Sequence, residues 1–217
     1  MNEHFSQSVS LADALQTTGY CLREDDLPQA ARVMAAAFGD DPAIRYLLGG
    51  AAMGGDDWRY FLAVLRAVYG RCVLLSTDEA VQDLLVLFPP ALQSVPAVPF
   101  FLRGGGGLCR FFGPALFARS LRYENNCRRI KRRFSTTDMW YCMCFVVQPG
   151  LQGQGNGSRL IRPVLQALDA RHVPLYLETH KAVNTRIYEH LGFHMADVSV
   201  IPGTETTQYA MLRRSEN

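Results

Sequence analysis

Residues 146–160 read VVQPGLQGQGNGSRL: two valines, a proline, then four glycines within eight residues before an apolar helical pattern begins. Glycine is entropically costly, so such a run at a strand-to-helix junction implies positive φ angles or a close visitor to the backbone. A phosphate is the visitor a helix N-terminus accepts, because its first amides lack helical partners and carry the positive end of the macrodipole. Three phosphate loops compete for the stretch. A nucleoside-triphosphate P-loop ends in Gly-Lys-Ser/Thr, whereas Gly157 runs directly into Ser158 with no lysine. A dinucleotide fingerprint, G-x-G-x-x-G, finds Gly153, Gly155 and an acid at Glu178, but its third glycine position holds Ser158. The third loop, Q/R-x-x-G-x-G/A, is matched at every position by Gln152, Gly155 and Gly157.

The elements around this loop follow from periodicity. MWYCMCFVV, ending at Val147, is aromatic and β-branched and reads as the clearest strand; on a regular strand its Cys142 and Cys144 share a face. After the glycines, Leu160, Ile161, Val164, Leu165 and Leu168 recur at helical spacing, and Pro163 is expected to kink that helix or confine its regular part to the later turns. VPLYLETH reads as a short strand, NTRIYEHLGF as a helix that Gly192 caps, and HMADVSVI with TTQYAMLR as a closing hairpin around Pro202 and Gly203. Upstream, a strand at YCL leads through Asp25 and Asp26, the expected cap, into a helix with Pro28 in its first turn. Two more helices, DPAIRYLL and DDWRYFLAVLRAVYGR, precede a strand pair, CVLLSTD and AVQDLLVLFPP, that ends where Pro89 and Pro90 forbid ladder bonds. The resulting order is a mixed α/β layout.

Residues 91–137 differ. They contain a four-glycine hinge, Gly104 to Gly107, and a helix that becomes basic in RRIKRR at 128–133. Such a run reads as a solvated helical face rather than a nucleic-acid patch, since aromatic or basic support elsewhere is lacking. The whole chain of 217 residues, 48% hydrophobic and close to +2 in net charge, suits one domain over 1–217 with 91–137 as a helical insertion over the site. The start, MNEHFSQSVSLADAL, is not read as a secretory signal, and no segment is long and apolar enough for a membrane span. Six scattered cysteines lack a metal-ligand rhythm. The expectation is a cytoplasmic protein, monomer or homodimer, that uses no metal and binds neither nucleic acid nor membrane.

The wording MWYCMCFVVQPGLQGQGNGSRLIRPVL…PLYLET…N…YEHLGF resembles the GCN5-related N-acetyltransferase (GNAT) superfamily over about residues 138–213. It is especially similar to the branch containing puromycin acetyltransferase and bacterial small-amine acetyltransferases. The resemblance implies an acyl-CoA acyltransferase fold with a splayed central strand pair, and acetyl-CoA as cosubstrate. It implies backbone contacts to pantetheine from Phe145, Val146 and Val147, with the Val146 N–H as the oxyanion donor. The diphosphate would lie on Gln152, Gly153, Gln154, Gly155, Asn156, Gly157 and Ser158. Asn184 would hold coenzyme A, and Tyr188 would protonate the departing thiolate.

Acetyl transfer to an amine requires a neutral nitrogen, so a base is needed; Glu178 is the first candidate and His180 the second, with a water chain as the third. Tyr46, Trp58, Tyr60 and Trp140 are candidates for lining the acceptor pocket, and Asp40 and Asp41 either attract a cationic amine or cap the next helix. The expected activity is N-acetylation of a primary amine on a small molecule by direct attack. The alternatives are a silent acyl-CoA-binding sensor and a protein or peptide N-acetyltransferase.

Overall fold

A computed structural model describes residues 11–50 and 55–214. The N-terminal stretch read above as lacking a signal lies, in its first ten residues, outside the described residues. The elements are β1 (Tyr20–Cys21), α1 (Leu27–Ala37), α2 (Pro42–Leu48), α3 (Trp58–Val68), β2 (Val73–Ser76), β3 (Asp83–Phe88), α4 (Ala97–Leu102), α5 (Cys109–Phe112), α6 (Leu116–Lys131), β4 (Trp140–Val147), α7 (Asn156–Asp169), β5 (Leu175–Thr179), α8 (Ala182–His190), β6 (His194–Val200) and β7 (Thr207–Arg213). Seven strands form one sheet in the order β1-β2-β3-β4-β5-β7-β6. Every pairing is antiparallel except β4 with β5. The expected element order and mixed α/β class are those observed.

Two apolar clusters cover the two faces of the sheet. On one face, Leu160, Ile161, Val164, Leu165 and Leu168 of α7 pack with Trp140, Leu175 and Leu177 of the sheet and with Tyr188 and Phe193. On the other, Leu27, Ala30 and Met34 of α1 and Phe61, Leu65 and Val68 of α3 pack against Leu84, Val86 and Val146. The completely buried Trp140 therefore belongs to the core and not to an acceptor pocket. Emptying such a position typically costs about 3–5 kcal/mol. Among the described residues no helix is long and apolar enough to cross a membrane.

Three local expectations change. Asp26 does not cap α1: its carboxylate accepts from the Arg23 N–H at 2.8 Å and the Tyr20 hydroxyl at 2.8 Å, bracing a short 3-10 turn at Glu24–Asp26. Helix α7 runs unbroken through Pro163, so its regular part is not confined to the later turns. Proline removes a single ladder bond there, and the buried stripe on both sides of it holds the rest. Finally, the β3–β4 register slips between Val86 and Leu87: Val86 faces Cys144 and Leu87 faces Cys142. Met143 is the extra residue of a β-bulge, and it reverses which face the following residues occupy. Cys142 packs with α7 on one face and Cys144 with α1 and α3 on the other.

The insertion is tied to α3 through Phe100, Leu108 and Leu116. Its glycine run is a packed turn more than an open hinge. A Cβ on Gly105 would stand 2.5 Å from the Phe100 ring, so only glycine permits that contact. The basic run is not a uniform solvated face either. Ile130 is fully buried with Met139, Tyr176 and Ala210, and Lys131 is buried beside it. The Lys131 ammonium lies 3.7 Å from the Tyr141 ring centroid and donates to the Gln93 carbonyl. Arg128, Arg129, Arg132 and Arg133 remain exposed, Arg133 pairing with Asp197 at 2.6 Å.

Candidate active site

The parallel ladder between β4 and β5 has only three registered pairs, Trp140 with Leu175, Tyr141 with Tyr176 and Cys142 with Leu177. It ends at Cys142, one residue before the bulge, although β4 continues to Val147 and β5 to Thr179. A bulge bends its strand and increases the local twist, so the two strands diverge from that point. Across the opposite edge, the Gln148 N–H donates to the Gln82 carbonyl at 2.8 Å. Alternation in an antiparallel ladder then turns the amide of Val146 toward β3 and those of Phe145 and Val147 toward the gap. The Val146 N–H, expected to be the oxyanion donor, therefore faces β3 and not the gap, whereas those of Phe145 and Val147 face the gap, Phe145 deeper in it.

The loop after β4 uses its glycines for conformation. Gly150, Gly153 and Gly155 have φ of 88°, 74° and 84°, in the left-handed region. Gly155 is the N-cap of α7 and no side chain caps the helix. The first amide with a helical acceptor is that of Arg159, bonded to Gly155 at 3.0 Å, which leaves the amides of Asn156, Gly157 and Ser158 aimed off the helix end. The polar side chains of the loop do not fill this position but brace the loop. Gln152 Nε2 donates to the Val147 carbonyl at 3.0 Å, Gln154 Nε2 to Gly150 at 2.9 Å and Asn156 Nδ2 to Leu151 at 3.0 Å. A Cβ on Gly153 or Gly155 would meet nothing within 4 Å. Open space, bare amides and about half a positive charge from the dipole fit a diphosphate.

A cavity of about 750 Å³ connects this loop with the strand gap and with the insertion, a volume within the range of small-ligand sites. Phe145, Val146, Val147, Gln152, Gly153, Gly155, Gly157, Ser158, Asn184 and Tyr188 all line it; Gln154 and Asn156 do not. Arg162 also lines it, one helical turn beyond Ser158, a cation that its i+4 spacing would have revealed. Asn184 and Tyr188, likewise four apart, face it together from α8. Asn184 Nδ2 donates to the Thr179 hydroxyl at 3.1 Å. Tyr188 is 9% exposed and packs edge-on against Phe193 at 5.7 Å. Burial pushes its phenol above the ordinary value, so the hydroxyl keeps its proton.

The far end of the cavity is acidic and aromatic. Glu178 and His180 line it from β5 and the following loop; Tyr123 and Glu124 do so from α6, Tyr60 from α3. Both oxygens of Glu178 are engaged, Oε1 by the Tyr176 hydroxyl at 2.9 Å and Oε2 by the Tyr141 hydroxyl at 3.3 Å. His180 Nδ1 stands 3.6 Å from Asp41 and its Nε2 3.5 Å from the Tyr123 hydroxyl. Asp41 caps α2 through the amides of Ala43 and Ile44 and also lines the cavity, while Asp40, which does not line it, pairs with the lining residue Lys181. Of the aromatic candidates, Tyr60 lines the cavity; Tyr46 accepts from Arg122, and the Trp58 ring is engaged by the guanidinium groups of Arg32 and Arg59. Among the described residues no cluster of His, Cys, Asp or Glu has the makings of a metal site.

Against this geometry, residues 120–193 match the model of the acetyltransferase (GNAT) family. A curated relative, an uncharacterized N-acetyltransferase of Schizosaccharomyces pombe, is 39% identical over 54 residues. That match spans 25% of this chain and about a fifth, 22%, of the relative. Among solved structures, a histone acetyltransferase HPA2 and related acetyltransferase from Corynebacterium glutamicum superposes with a TM-score of 0.60 at 18% identity, over 91% of this chain and 95% of that one. Arylalkylamine N-acetyltransferase 2 from Aedes aegypti does so at 0.56 and 12% identity, over 90% and 97%. The matched segment is that of an acetyltransferase family, and the fold of the whole described chain is the GNAT fold.

Proposed function

We propose that this chain is an acyl-CoA-dependent N-acetyltransferase that moves the acetyl group of acetyl-CoA to a primary amine of a small molecule by direct attack. The observation that carries the reading is a single cavity: it joins a bare helix N-terminus, a splayed parallel strand pair and a buried phenol to an acidic, aromatic end. Loop amides and Arg162 hold the diphosphate. Phe145 and Val147 offer backbone groups to the pantetheine arm, and the Phe145 N–H stabilises charge on the acetyl oxygen. Tyr188 gives its proton to the leaving sulfur, for which a phenol held protonated is suited. The Glu178 carboxylate, held by Tyr141 and Tyr176, adds negative charge to the acceptor end of the cavity.

A small-molecule acceptor is supported by the insertion, which covers the cavity through Tyr123 and Glu124, and by the arylalkylamine acceptor that the name of the Aedes aegypti neighbour states. The likeness to puromycin and bacterial small-amine acetyltransferases, the one-domain organisation, a cytoplasmic location and a monomer or homodimer belong to the same reading. Thiol release from acetyl-CoA over a panel of primary amines, with the acetylated product identified by mass, tests it. Tight coenzyme binding with no turnover across the panel favours a silent acyl-CoA sensor; turnover confined to peptides favours a protein acetyltransferase.

A further inference from the structure

Glu124 sits on α6, inside the insertion, with its side chain in the wall of the acceptor end of the cavity. Among the described residues no hydrogen bond or ion pair engages its carboxylate. This contrasts with Glu178 across the cavity, whose two oxygens are taken by Tyr141 and Tyr176. His180 is likewise committed, between Asp41 and Tyr123. Asp41, the fourth group here able to accept a proton, is committed to the α2 cap and to His180, so Glu124 is the member of the four with no side-chain or backbone partner among the described residues.

We propose that Glu124 is the residue that receives the ammonium of the acceptor and takes its proton, an assignment that rests on the transferase reading. The R–NH3+ group gives one proton to the Glu124 carboxylate. The freed nitrogen lone pair forms the C–N bond to the acetyl carbon while the C–S pair leaves on sulfur. The sulfur takes the proton of Tyr188, the second proton passes from nitrogen to the Tyr188 phenolate, and Glu124 returns the first to solvent, so one proton is released per turnover. Tyr60, Tyr123 and Tyr141 give the pocket ring-sized apolar walls, so the acceptor is a primary amine carried on an aromatic or comparably bulky apolar body.

The surroundings suit the task. Tyr60 faces Glu124 from α3, Tyr141 from β4 and Glu178 from β5, with Cys127, Arg128 and Lys131 on its own helix. Burial first, then the Glu178 charge, push its carboxyl up to about 7 against the opposing pull of Lys131 and Arg128. A base of that strength exchanges protons with an ammonium near neutral pH.

The test compares wild type with Glu124→Gln on phenethylamine and on β,β-difluorophenethylamine, an amine of the same body but far weaker basicity. Thiol release is followed from pH 5 to 9, with coenzyme affinity and thermal unfolding as folding controls. The expected result is a loss of roughly 100-fold in kcat/KM on phenethylamine, with the rising limb near pH 7 abolished. The loss on the difluorinated amine is expected to be under about 5-fold, since little proton removal is needed there. Equal losses on both amines, or an unchanged pH profile, overturn the assignment while leaving the transferase reading intact. Failure of the wild type to acetylate either amine overturns the aromatic acceptor assigned here, and the transferase reading is then decided by turnover over the wider amine panel.

Discussion

A Cβ placed on Gly157 would stand 3.1 Å from Cζ of Phe145 and 3.5 Å from Cγ2 of Val147. The first turn of α7 and the end of β4 are therefore in contact, and the bare amides sit directly over the mouth of the strand gap. Gly157→Val is expected to push the helix off the strand. Calorimetry should show coenzyme A affinity reduced by at least about 10-fold, and a lowered Tm, because overpacking of this kind costs about 1–3 kcal/mol.

Gly155→Val acts differently. Its side chain projects into open space, but φ is 84°, which a β-branched residue tolerates poorly. Loss of coenzyme binding is expected together with a local cost of about 1–2 kcal/mol, confined to the loop and not to the sheet. Unchanged affinity for coenzyme A by calorimetry would contradict the loop assignment.

Tyr188→Phe removes one hydroxyl from a buried ring that otherwise packs on Phe193. The variant is expected to fold, to bind acetyl-CoA as wild type does, and to lose about 100-fold in kcat. Steady-state thiol release checks this; an unchanged kcat would remove the phenol from the reaction.

Gly105→Ala tests the insertion as a cover. The new methyl would overlap the Phe100 ring, whose neighbours connect α4 and α6 to α3. The amine KM should rise by at least about 10-fold as Tyr123 and Glu124 lose their placement, while coenzyme A affinity stays within about 2-fold. Equal loss of both would show that the insertion supports the whole fold instead.

Glu124 also predicts a stability signature that needs no substrate. Its folded value, about 7, lies above the ordinary 4.5. As pH rises from about 4.5 to 7, the unfolded chain releases this proton while the folded chain retains it, so stability falls across that window. Glu124→Gln should therefore raise Tm above pH 7, by the equivalent of about 1–3 kcal/mol, and change little below pH 4.5. An equal shift at both pH values, read by thermal unfolding, would contradict it.

The element order and the loop were legible because each rests on local chemistry: the glycines at 150, 153 and 155 occupy positions with positive φ, and Asn184 and Tyr188 share a helix face by spacing alone. The bulge at Met143 was not, because MWYCMCFVV alternates as well with it as without it; register is decided by the partner strand. That hid both the separation of Cys142 from Cys144 and the turning of Val146 away from the gap. Lys131 reads as one more surface cation in RRIKRR until the tertiary fold lays α6 on the sheet. Glu124 was missed for the same reason: no local pattern tells which polar residue of such a helix a cavity will reach.

The central claim is tested most directly by a crystal structure of the chain with coenzyme A bound. The account predicts the diphosphate on the amides of Gly155 to Ser158, with the pantetheine arm in the gap beside Phe145 and Val147 and its sulfur next to the Tyr188 hydroxyl. Coenzyme A bound anywhere else, or a diphosphate held by side chains away from the start of α7, would contradict it.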